Sequence, residues 1–171
     1  MFASLPENAI VTVEESLARE LFAVAERLPR YENQEFYSTE LQTQVRDHFE
    51  RGSGGFEELI GRIEQGLSKW PYCVLVKGLL FDEGNKVFVG VNRAFGEMVA
   101  RPYEKPRAQL VHYIQPATDI ASARGGHESE RLHTDTADWE PPIELISMVC
   151  VRADPAGGGR SHVLDVDSIR E

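Results

Sequence analysis

The residues best suited to chemistry in this sequence are His133 and Asp135, separated by Thr134. In an extended strand, side chains two positions apart project from the same face. One imidazole nitrogen and one carboxylate oxygen are then aimed at a common point off the backbone. Neutral imidazole and hard carboxylate together suit a borderline divalent metal. They make up two-thirds of a 2-His-1-carboxylate facial triad, the arrangement that holds non-haem Fe(II) and leaves positions open. Such a short pattern also arises by chance, as a structural His beside a surface Asp, so its surroundings must decide.

Those surroundings have a definite order. Trp139, Glu140, Pro141 and Pro142 follow the motif, and then an apolar run from Ile143 to Arg152 that reads as a buried strand. Asp154, Pro155, Ala156, Gly157, Gly158, Gly159, Arg160 and Ser161 form a glycine-rich turn, and a short strand is expected over His162–Asp165. This order resembles the taurine dioxygenase/clavaminate synthase-like superfamily of Fe(II)- and 2-oxoglutarate-dependent oxygenases. The resemblance is clearest over residues 132–167 and extends less specifically over 72–115.

The resemblance implies an α+β chain with a double-stranded β-helix (jelly-roll) core, incomplete in this chain and flanked by N-terminal helices. It also implies Fe(II), 2-oxoglutarate and O2, with succinate and CO2 released as an unactivated C–H bond of a small molecule is oxidised. Hydroxylation is the default outcome, and desaturation, cyclisation and epoxidation use the same ligands. The implied substrates are small molecules such as amino acids or natural-product intermediates. By position, His133 and Asp135 match the proximal iron ligands, and Ser161 matches the Ser/Thr that helps bind 2-oxoglutarate. Trp139, His127 and the 116–130 loop are placed near the substrate. Asp138 reads as an exposed acid, with a supporting contact to His133 as the alternative.

Members of this superfamily also use a distal His ligand and, beyond it, an Arg that pairs with the far carboxylate of 2-oxoglutarate. Neither is matched here. Arg170 lies too close to the glycine turn, and His162 directly follows Ser161, so strand alternation turns it to the other face. The chain therefore resembles the N-terminal part of such an oxygenase. Half a barrel exposes open strand edges, so a second copy or a complementing chain carrying the distal His and Arg is expected. Three readings follow: an oxygenase, one fragment of a split oxygenase, or a jelly-roll binding module without catalysis. A zinc hydrolase would need a third ligand and a general base that nothing near His133 supplies.

Composition narrows the classes. A chain of 171 residues with 42% hydrophobic and 27% charged residues is ordinary for one globular domain, here 1–171. Residues 1–70 read as a helical flank and 71–171 as the first part of the jelly-roll. A formal net charge of −10, with no basic stripe, argues against nucleic acid. No apolar run reaches membrane-spanning length, and the first residues lack a secretory pattern. Cys73 and Cys150 both sit in apolar runs and read as buried free thiols in a reducing cytoplasm.

The elements that must position the motif can be read in order. Thr12–Val13–Glu14–Glu15 reads as a capping box with Thr12 as N-cap. Leu17, Leu21, Val24 and Leu28 then form a core-facing helical stripe that Pro29 ends. Ser38 starts a second helix with Leu41, Val45 and Phe49 on one face. Arg51–Gly55 is an inter-helix break, and residues 56–70 form a third helix with Phe56, Leu59, Ile60, Ile63 and Leu67 inward. Residues 72–79 read as a strand buried on both faces, and 82–100 as a glycine-weakened helix. Residues 109–115 read as a strand in which His112 is packed rather than a ligand. The 116–130 loop is either a substrate lid or a surface excursion.

Overall fold

Parallel strands cannot be joined by a tight turn, so the chain between them must cross over. Here β1 (Ile10–Thr12) pairs in parallel with β2 (Leu75–Lys77), with Ile10 opposite Leu75, Val11 opposite Val76 and Thr12 opposite Lys77. Three helices fill the crossover: α1 (Glu15–Arg27), α2 (Thr39–Gly52) and α3 (Phe56–Leu67). A fourth helix, α4 (Lys86–Arg93), follows β2. The fold is α+β. The computed structural model describes residues 5–99, 110–111, 140, 143–153, 155 and 163. The chain divides into two compact units, one spanning residues 3–112 and the other residues 113–171 with the first two.

In the first unit the core is built by the helical stripes. Leu21 and Val24 on α1 are fully buried, and Leu17 and Leu28 pack against the same cluster. Leu28 precedes a proline and takes an extended conformation (φ −75°, ψ 149°), which ends α1 there. The N-terminus of α1 differs from the capping-box expectation. Thr12 is committed to β1, where Val13 N–H extends the pairing by donating to the Lys77 carbonyl at 2.8 Å. The N-cap falls at Glu14, which makes no side-chain capping bond. A strand bond has displaced a local cap, because the backbone of residue 12 cannot serve both.

Helix α2 starts as expected, with the Ser38 hydroxyl accepting from Leu41 N–H at 3.2 Å. Val45 and Phe49 are fully buried, and Phe49 stacks on Phe56 of α3 with ring centroids 5.6 Å apart. Phe56, Leu59, Ile60 and Ile63 carry the buried face of α3, which ends at Leu67 rather than residue 70.

Two elements are shorter than their apolar patterns suggest. Residues 72–79 yield only the three residues of β2, and Leu75 there is 42% exposed rather than buried. Gly78 ends the strand with φ +84°, where a Cβ would stand 2.8 Å from the Val13 carbonyl oxygen. Residues 82–100 yield only α4. Asp82 folds its carboxylate over the turn before it, and Asn85 enters the helix in the left-handed region (φ 59°). Gly96, at φ 151°, lies just beyond its end.

The remaining strand expectations fare differently. Leu110 and Val111 lie in a bend, and the Val111 carbonyl accepts from Asn33 Nδ2 at 3.0 Å. The rest of 109–115 lies outside the described residues. In the second unit, residues 143–153 form no strand, and Leu145, Ile146, Met148 and Val151 are exposed. The buried-strand reading of Ile143–Arg152 is therefore overturned. An apolar run favours extended backbone, but it becomes a strand only where a neighbour accepts its N–H and C=O groups. The cysteine expectation is corrected with it. Both thiols are free, but Cys73 is half-buried and Cys150 is exposed.

Candidate functional site

His133, Asp135, Ser161, Trp139 and His127 all lie outside the described residues, as do Asp138, His112 and His162. The described residues nearest the motif are Glu140, which is exposed, and Ile143, which is half-buried. Among the described residues no three His, Cys, Asp or Glu side chains assemble as a metal-holding group. His48 on α2 is the one histidine among them, and its Nε2 is buried without a hydrogen-bond partner.

The first unit does contain buried polar chemistry, and its two largest instances are committed to holding the fold. Asp82 and Lys86 have side chains only 2% and 8% exposed, with Nζ 3.9 Å from Oδ2. The Asp82 carboxylate accepts from Val87 N–H at 2.8 Å and from Gly84 N–H at 3.1 Å. Lys86 Nζ also donates to the Leu28 carbonyl at 3.4 Å. A buried pair offsets its desolvation through further hydrogen bonds, and here both Asp82 oxygens and Lys86 Nζ make one to the backbone. The pair therefore staples the start of α4 to the end of α1, and its oxygens are committed to that task.

Gln42 is the second instance. It is fully buried, and its Nε2 donates to the Phe36 carbonyl at 2.8 Å and the Met98 carbonyl at 3.1 Å. Its Oε1 accepts from Met98 N–H at 3.1 Å. One amide thus ties the turn before α2 to the segment after α4. A polar residue on the same helical face as Val45 and Phe49 was the sequence signal for it.

At the surface of the same unit lies a shallow cleft of about 170 Å3 lined by Arg46, Glu50, Phe56, Glu57, Ile60, Gly61, Glu64 and Ala94. Arg46 Nη2 donates to Asp47 Oδ1 at 2.7 Å. Its Nε lies 3.1 Å from Glu50 Oε1, a charge contact without hydrogen-bond alignment. The cleft is smaller than the roughly 300–1,000 Å3 of small-molecule sites and offers no Ser, Cys, His or Lys to a substrate.

Comparison with protein-family models, curated proteins and solved structures finds no match to this chain. Among the described residues, no helix is long and apolar enough to cross a membrane.

Proposed function

We propose that this chain is an Fe(II)- and 2-oxoglutarate-dependent dioxygenase with a jelly-roll core, acting in the cytoplasm on a C–H bond of a small molecule. The observation that carries the reading is the order of His133-x-Asp135, the Trp139–Pro142 segment and the glycine turn ending at Ser161. Helices ahead of β2 are compatible with it, because the resemblance places helices before the barrel. His133 and Asp135 hold the metal, with imidazole and carboxylate suited to ferrous iron. Ser161 donates its hydroxyl to 2-oxoglutarate. Trp139 and His127 line the substrate side. The bound iron and 2-oxoglutarate supply the oxidising chemistry, while these residues bind, orient and exclude water.

A second reading is one fragment of a split oxygenase, completed by another chain or a second copy that carries the distal His and Arg, and a third is a jelly-roll binding module without catalysis. Succinate formation from 2-oxoglutarate under air, with Fe(II) and ascorbate present, tests the proposal. The oxygenase reading predicts slow succinate release that His133→Ala abolishes. Release unchanged in that variant contradicts it, and release that requires a co-purifying chain supports the split form.

A further inference from the structure

We draw no further inference here: the strongest candidate, the exposed apolar surface that Trp70, Tyr72, Leu75, Leu80 and Phe81 make around β2, carries nothing because nothing in the structure shows what covers it.

Discussion

Gly90 on α4 sits directly against the ring of Phe49 on α2, so closely that a Cβ at position 90 would fall 2.4 Å from Phe49 Cδ2. The two helices approach through this contact, and Phe49 is also held by its stack on Phe56. The ring therefore has little room to retreat.

Gly90→Ala is predicted to destabilise the first unit. Alanine favours a helix interior over glycine by about 0.5–1 kcal/mol. Overpacking a tight core costs about 1–3 kcal/mol, and here the clash is with a fully buried ring that also stacks on Phe56. The expected result is a lower urea midpoint for Gly90→Ala, partly restored when Phe49→Leu is added. A midpoint equal to wild type would show that α2 and α4 do not meet in this way.

Gln42→Leu is predicted to cost about 1–3 kcal/mol, because the Met98 N–H and the Phe36 and Met98 carbonyls lose their partner. Gln42→Glu adds a pH dependence. Its carboxylate cannot donate to the two carbonyls, and burial favours the protonated form. Its folded-state pKa is therefore raised, so that variant loses stability as pH rises through it. Urea unfolding of both variants across acidic to neutral pH checks this. Wild-type stability in Gln42→Leu would contradict it.

The two thiols are predicted to react at different rates. Cys150 is exposed, whereas Cys73 is half-buried and its thiol is pushed up by burial, which penalises the thiolate. Thiolate is the attacking form, so Cys73 reacts more slowly at neutral pH. An aromatic disulfide reagent should show a fast phase that Cys150→Ser removes and a slow phase that Cys73→Ser removes. The slow phase should accelerate as pH rises. A single rate for both thiols would contradict this assignment.

The helices were legible because their signals are local and repetitive. Leu17, Leu21, Val24 and Leu28 recur at helical spacing, and Ser38 stands where an N-cap is needed. Strands were less legible because a strand needs a neighbour that no local pattern specifies. Thr12 looked like a cap until β2 claimed its backbone as a ladder partner. Residues 143–152 have strand-like composition, yet leave Ile146 and Met148 exposed. Gly84 and Gly96 were the local warning that the helix predicted over 82–100 would be cut short at both ends. Gln42 was hidden because a polar residue in an apolar stripe reads as an error in the pattern until its three bonds are seen. For the candidate site, the sequence supplies residue identity and order, and His133 and Asp135 lie outside the described residues.

The central claim is that His133 and Asp135 hold iron for 2-oxoglutarate. The most direct measurement is an anaerobic titration with Fe(II) and 2-oxoglutarate, followed by visible absorption, on wild type, His133→Ala and Asp135→Ala. Intact mass first establishes which chains are present. The account predicts the weak metal-to-ligand charge-transfer band of the chelate in wild type and its loss in both variants. No band in wild type, or a band unchanged in both variants, would contradict it.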